Sequence, residues 1–442
     1  MNEITSRFLP PEDAQRRELH NEVHARPSAR VSLPALIVYV AVLNEGVSRE
    51  QELAHLRLLP GHADLTLDRL QGNFLRLRCD HYTVKWERHT EFTRYSIVQT
   101  LPAHAGWGTE LPELATHVAP GTDWLRGLPG QTMAAIHMGM LAADLDQEGL
   151  ISTAQAWLGE GALLASRMGN TTEGGPHSCI LTHFRIGADG FERMLVLAPE
   201  TTTKARAGRI SQRLLEMETY RLMALRGLPV AKNLSAMLST AEAQLADITG
   251  LLERKGQTDQ ALLDLLVSLA ARIERATAEH GFRFSATRAY DTLVSQRLAE
   301  LRERPISGTQ TLGEFMQRRL SPAMATVQAT EKRLASLAER VSRTSALLRT
   351  RVDIATEAQN QMLLEKLTKG QALQLRLQST VEGLSIAAIS YYVVSLVLYG
   401  AKALNKLGLP FSPEVLAGLS IPFVLLGTWK TVQKIHARIH RD

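Results

Sequence analysis

The chain has 442 residues, 45% hydrophobic and 21% charged, which is enough for one large domain with extensions or for two domains with a sizeable core. A net charge of +5 is small for this length and lies partly in the C-terminal tail, so it points to anionic lipid near that tail and away from nucleic acid. Cys79 and Cys179 are the only cysteines and have no C-x-x-C spacing, which fits a reducing compartment, excludes a cysteine-based zinc site and offers no persuasive nucleophile.

The first informative stretch is His20 to Pro27, HNEVHARP. His20 and His24 share a helical face, with Glu22 between them, which invites comparison with the H-E-x-x-H zinc motif. The register differs. Asn21 follows the first histidine where that motif has its glutamate, so the Glu22 carboxylate lies on another face. The plain expectation is a short helix ended by Arg26-Pro27, with a local Glu22 to Arg26 ion pair, and with His24 left to dock or to line a pocket. A metal-dependent hydrolase using His20, Glu22 and His24 is an alternative that needs a concave site supplying further ligands. The residues before this stretch, MNEITSRFLPPEDAQRRE, hold no apolar h-region, so the body is expected to stay inside the cell.

From Val31 to about Leu197 the pattern is rich in strands with helical inserts. Ser32 to Asn44 is short, apolar and β-branched, as in a buried strand. FLRLRCD and YTVKWERH alternate, with Leu75, Leu77 and Cys79 opposite Arg76 and Arg78, and Thr93 to Leu101 can pair with them as a meander. The run Arg76, Arg78, Lys85, Arg88 and Arg94, interleaved with His81, Tyr82, Trp86 and His89, could be drawn as a phosphate or single-strand nucleic-acid face. Asp80, Glu87 and Glu91 interrupt it, and the expectation is the solvated side of a sheet. Gly121 to Leu141 and Leu150 to Gly159 suggest a strand and a short helix.

Met168 to Pro176 is a glycine-rich loop without the G-K-[ST] end or the following helix of a phosphate loop. His177 to Gly187 and Phe191 to Pro199 form a hairpin about Ala188-Asp189-Gly190, since Asp-Gly supplies the positive φ of a tight turn. His177 and His183 have even spacing on that strand, and with His24 or Asp189 they are weak metal candidates. Ordinary core or edge histidines are the alternative. No cofactor is implied.

After Thr201-Thr-Thr-Lys204 the sequence turns helical. Ile210, Leu214, Leu215, Met217, Leu222 and Leu225 fit a 3.6 period, and Gly227 and Pro229 end the segment. Arg213, Glu216, Glu218, Tyr220 and Arg221 read as surface ion pairs beside an apolar stripe. Further helices are expected over Asn233 to Arg254, Thr258 to His280 and Thr287 to Glu303, broken at Lys255-Gly-Gln, Gly281 and Pro305. From Pro322 to Glu382 no proline follows, and Val327, Leu334, Val341, Leu348, Ala355 and Met362 recur every seven residues, a heptad seam that pairs within the chain or with another copy.

Gly383 to Ala401 carries no charge and matches the ~30 Å hydrocarbon layer as a helix. Tyr391, Tyr392, Tyr399 and Lys402 suit an interface. Val415 to Trp429 is a second uncharged stretch that spans if its helix begins near Phe411 with Glu414 among headgroups. Pro422 is tolerated in a membrane helix, and Trp429 and Lys430 stand at the expected belt. Lys366, Lys369 and Arg376 precede the first span, and Lys430, Lys434, Arg438 and Arg441 follow the second, against Lys402, Lys406 and Glu414 between them. That excess puts both ends in the cytoplasm.

The fold expected is therefore α+β: a mixed sheet domain over 1–203, a helical bundle and stalk over 204–382, a transmembrane hairpin over 383–429 and a basic cytoplasmic tail over 430–442. Three segments carry a resemblance: the N-E-x-H-A-R-P run (Asn21, Glu22, His24, Ala25, Arg26, Pro27), AGRISQRLLEMETYRLMAL (Ala207 to Leu225) and TVEGLSIAAISYYVV (Thr380 to Val394). Together the sequence is similar to an uncharacterised family of predicted membrane-anchored bacterial proteins, a resemblance that implies an anchor and brings no activity. The plan of soluble domain, stalk and two C-terminal spans also resembles the CorA-type magnesium channels. Their Y-G-M-N motif is replaced here by Tyr399-Gly400-Ala401-Lys402, and Lys402 would repel a divalent cation at a pore mouth. The leading expectation is a scaffold or sensor in the inner membrane, partnered by the bilayer, with a homo-oligomer through the stalk as a further option and no nucleic acid. A divergent CorA-like oligomeric channel is the second reading.

Overall fold

The computed structural model describes residues 13–16, 19, 29–113, 116–145, 149–159, 161–169, 177–253, 259–406 and 412–439. The HNEVHARP stretch, with the expected Glu22 to Arg26 pair, lies outside the described residues, as do 170–176 of the glycine-rich loop. Packing divides the chain into two units, Met1–Gln257 with Asp264–Arg343, and Thr258–Leu263 with Thr344–Asp442.

The first unit is built on a mixed sheet of nine strands: β1 (Ala35–Leu43), β2 (Phe74–Arg78), β3 (Tyr82–Arg88), β4 (Phe92–Thr100), β5 (Gln131–Ala142), β6 (Leu164–Met168), β7 (Ser178–Ile186), β8 (Glu192–Ala198) and β9 (Arg304–Pro305). Their order is β2-β3-β4-β1-β5-β8-β7-β6-β9, with β5 and β8 parallel. The consecutive β2, β3 and β4 are the expected meander, and β7 and β8 are the expected hairpin, with Gly190 at φ +84° in its turn. β1 is central and covered on both faces, which is why it reads as an unbroken apolar run. Ile37, Tyr39 and Ala41 face one core, and Leu36, Val38, Val40 and Val42 the other.

Two short helices, α1 (Arg49–Leu56) and α3 (Leu150–Leu158), serve the second core through Leu53, Leu56, Ala154 and Trp157, and the single turn α2 (Thr122–Arg126) adds Trp124. The first core is closed by α4 (Lys204–Leu225), which contributes Ala207, Leu214, Met217 and Met223. Gly208 of α4 is needed for its lack of a side chain: a Cβ there would stand 1.6 Å from the Ala29 carbonyl oxygen. The chain that follows the N-terminal motif thus lies against α4, and the Val31 N–H donates to the Lys204 carbonyl at 3.1 Å.

The next helix, α5, begins at once at Gly227 with Pro229 in its first turn, where proline's missing N–H costs nothing, and runs to Glu253. Helix α6 (Asp259–Leu301) passes through Gly281 without a break. This corrects the expected interruption: one glycine costs a helix only about 1 kcal/mol, which packing of nearby Phe284, 1% exposed, outweighs. After α7 (Leu312–Arg319), α8 runs unbroken from Ser321 to Lys406, 86 residues. Its seam residues Val327, Leu334 and Val341 pack with Leu238, Leu245 and Ile273 in the helical core of the first unit.

Within the second unit Leu348 is still buried, whereas Ala355 is exposed and Met362 is 62% exposed. Helix α9 (Pro413–Ile439) carries Pro422 inside it. Ser390 of α8 and Thr428 of α9 join their hydroxyls at 2.8 Å, so the two helices pack as a hairpin. Both are long and apolar enough to cross a membrane: their 18-residue windows have mean hydropathies of 1.8 and 1.5 and are each only 6% buried.

Candidate functional site

The most chemically loaded region of the first unit runs along α4, from the β3–β4 face that the helix covers to the ends of β6 and β7, where it meets the end of α6. Lys85, Glu87 and Arg94 are not the solvated side of a sheet, as expected from their polarity, but are 5%, 1% and 4% exposed. The reason is α4, which covers that face and brings Glu216 into it. Arg94 Nε donates to Glu87 at 2.5 Å and Nη1 to Glu216 at 3.0 Å, while Lys85 Nζ reaches Glu87 at 3.0 Å. Glu87 and Arg94 are directly opposed across β3 and β4, so the pair was available in the strand register.

The chain of charges continues outward. Glu216 also accepts from Arg297 Nε at 2.6 Å, Arg297 Nη1 donates to Glu300 at 2.9 Å, and Glu300 accepts from Arg213 Nε at 2.9 Å. Signs alternate from Lys85 in the sheet to Arg213 on the surface of α4. Burial opposes the charge on Glu87, but Arg94 and then Lys85 outweigh it and hold the carboxyl down at about 2. Glu216 is likewise held low against burial by Arg94 and Arg297. The expected surface ion pairs of this helix are therefore mostly interior ones, with Glu216 at 3%, Glu218 at 0% and Tyr220 at 7% exposure.

Arg213 is also on the wall of a cavity of about 310 Å³, lined by Met168, Gly169, His177, Ser178, Arg206, Arg209, Ile210, Glu300, Leu301 and Arg302. Arg206, Arg209 and Arg213 are spaced by three and four residues, which puts them on one face of α4. That spacing is visible in the sequence beside the apolar stripe of the same helix. Arg302, at φ +51°, comes from the turn after α6, a proximity that sequence spacing could not reveal. Burial and the neighbouring Arg209 charge lower the pKa of Arg206. His177 is shifted down by burial and then by Arg206, so it is neutral at pH 7.

The two candidate histidines of β7 and its approach are not brought together. Six residues of strand separate them by roughly 20 Å. His177 is 7% exposed in the cavity wall. His183 has both nitrogens engaged, Nδ1 accepting from the Arg185 N–H at 3.1 Å and Nε2 at 2.7 Å from the Leu158 carbonyl. Asp189 is committed to the hairpin turn and to Arg193. Among the described residues no group of three or more His, Cys, Asp or Glu side chains could hold a metal ion. The motif residues Asn21, Glu22, His24, Arg26 and Pro27, with His20, lie outside the described residues. Burial pushes the Cys179 thiol up to about 12, which leaves it inert at neutral pH.

A second buried cluster sits further along α4. Glu192 at the start of β8 and Glu218, 6% and 0% exposed, share one cation: Arg221 bonds Glu218 through Nε at 2.8 Å and reaches Glu192 only at 3.8 Å. Burial and the Glu218 charge push Glu192 up to about 8, against the weaker pull of Arg221. Arg221 also lies over the Phe184 ring at 5.1 Å.

Comparison with curated proteins and with solved structures finds no match. A family model does match, from residue 11 to residue 439, which takes in the sheet, the helices and both apolar spans, and on that coverage the chain belongs to the family described as "Protein of unknown function (DUF3422)".

Proposed function

We propose that this protein is a cytoplasmic sensor or scaffold anchored in the inner membrane by its C-terminal helix hairpin. The observation that supports this reading is the exposure of the spans. The first unit buries its apolar side chains in three cores, yet Leu384, Tyr391, Tyr392, Leu396, Phe423 and Leu426 are all more than half exposed on α8 and α9. Helices this apolar and this uncovered are stable in hydrocarbon and not in water. The flanking Lys and Arg residues support the orientation with both ends of the hairpin at the cytoplasmic face.

Inside the hairpin Ser390 bonds Thr428, and Ser385 and Ser395 each donate to a carbonyl of their own helix at 2.8 Å, so all three hydroxyls have their protons satisfied within the two helices. A homo-oligomer through α8 belongs to the same reading, because the seven-residue repeat continues past the buried Leu348 to the exposed Ala355 and Met362. Reporters fused at Met1 and after Asp442 test the anchor: both should report cytoplasm, and a periplasmic C-terminus would mean that α9 does not cross. Chemical cross-linking of the full chain in mild detergent tests the oligomer, a monomer refuting it.

A further inference from the structure

Among its described lining residues the cavity between α4 and the end of α6 carries four arginines, Arg206, Arg209, Arg213 and Arg302, and one carboxylate, Glu300. That carboxylate is already shared by Arg213 and Arg297. Arg209 and Arg302 have no ion-pair partner among the described residues. The first turn of α4 adds the positive end of a 22-residue helix, whose N-cap Thr203 takes only one N–H, that of Arg206, on its side chain. Arg213 is already joined to Glu300, so Arg209 and Arg302 are the guanidinium groups for which the described wall supplies no anion, and the planar forks of arginine suit the oxygens of a phosphate or carboxylate.

The second observation concerns which anion. His177 is 7% exposed, lines the cavity, and leaves Nδ1 without a hydrogen-bond partner among the described residues. Its Nε2 lies 3.4 Å from the Thr202 hydroxyl, which is itself spent on the Pro199 carbonyl at 2.5 Å. The hydroxyl therefore accepts from Nε2–H, and the neutral ring is left with a bare Nδ1, an acceptor. A buried acceptor costs roughly 1–3 kcal/mol when unpaired, so the site calls for a ligand that brings a proton as well as negative oxygens.

We infer that this cavity binds a phosphoryl group: guanidinium groups of Arg209 and Arg302 hold its charged oxygens, and His177 Nδ1 accepts from its P–O–H. Sulfate, fully deprotonated at neutral pH, offers the charge without the donor. The cavity volume of about 310 Å³ exceeds what one phosphate needs, so the ligand is a phosphomonoester with a small organic part, either a soluble metabolite or a lipid headgroup. This gives the sensor reading its ligand class. It rests on that reading for its biological sense, while the cavity itself belongs wholly to the first unit and does not require the tail to cross a membrane.

Isothermal titration of the full chain in mild detergent at low ionic strength tests the inference, with inorganic phosphate, glycerol 3-phosphate, sulfate and dihexanoyl phosphatidic acid as separate probes. Saturable binding of phosphate or glycerol 3-phosphate, with sulfate weaker, is expected. Arg209→Ala and Arg302→Ala remove exposed side chains that have no ion partner among the described residues, so they should leave folding intact and weaken binding about tenfold or more each. His177→Ala should narrow the gap between phosphate and sulfate. Binding of phosphatidic acid alone would sustain the phosphoryl assignment and give it a lipid source. Sulfate binding as well as phosphate, no saturable binding of any probe, or binding that survives the Arg209→Ala/Arg302→Ala double substitution would overturn it. None of these results bears on the reporter fusions, so failure here is distinguishable from failure of the anchor.

Discussion

Helix α4 and the far half of α8 carry opposite relations between side-chain polarity and burial. On α4 the charged Glu216 and Glu218 are interior, each with a guanidinium against it, whereas on α8 beyond Leu348 the apolar Met362, Leu363, Leu364 and Leu367 are all more than half exposed. Hydrophobicity alone sorts neither helix. What decides burial is the partner: the sheet, α6 and α4 itself supply cations that make buried carboxylates tolerable, and none of the described residues covers the outer faces of α8 beyond Leu348. Charges are interior where they are paired, and apolar residues remain outside where the environment that suits them is another molecule or a bilayer.

The comparison breaks most visibly at the anchor. A chain ended before Gly383 keeps every described element of the first unit and loses both uncovered apolar spans. It should move from the membrane pellet to the soluble fraction on cell fractionation, an essentially complete change. If the truncated chain stayed with the membrane, a further attachment through an amphipathic face would have to exist. On the α4 side, Arg94→Met leaves Glu87 and Glu216 buried with their shared cation gone. Removing one member of such a network costs about 3–5 kcal/mol, and a strong drop in melting temperature is expected. Arg333→Met is the matched control: its pair with Glu242, at 2.8 Å, is over a third exposed on the arginine side and is worth at most about 1 kcal/mol.

Much of the architecture is legible in the sequence because its signals are local. The doubly covered β1, the Asp-Gly hairpin, the switch to helix at Lys204 and the two uncharged spans each announce themselves within about ten to twenty residues. The continuity of α6 through Gly281 was hidden because helix persistence there depends on packing of Phe284, not on the glycine. The cavity was hidden for a different reason. Gly169 and His177, Arg206, and Arg302 come from three separate parts of the chain and meet only through the tertiary fold, and Glu216 reads as an outward residue because Arg94 and Arg297, which pair with it, are 122 and 81 residues away in sequence.

The smallest effect is the most discriminating, since it separates two buried strand carboxylates, Glu87 of β3 and Glu192 of β8, by the sign of their response to pH. Glu87 is held at about 2 in the folded state, below the ordinary ~4.3 of the unfolded chain, so its contribution is present above pH ~4.3 and is lost as pH falls toward 2. Glu192 is displaced the other way, up to about 8. Between roughly pH 4.5 and 8 the folded protein holds a proton on Glu192 that the unfolded chain does not, so stability falls as pH rises through that window, by at most about 1.4 kcal/mol per unit from this group. Glu192→Gln keeps the shape of the protonated carboxyl and removes the titration. It should match the wild type in melting temperature near pH 5 and exceed it near pH 8, with a flatter profile between. Parallel profiles for the two proteins would show instead that the Glu192 and Glu218 pair is served by Arg221 as fully as Glu87 and Glu216 are by Arg94.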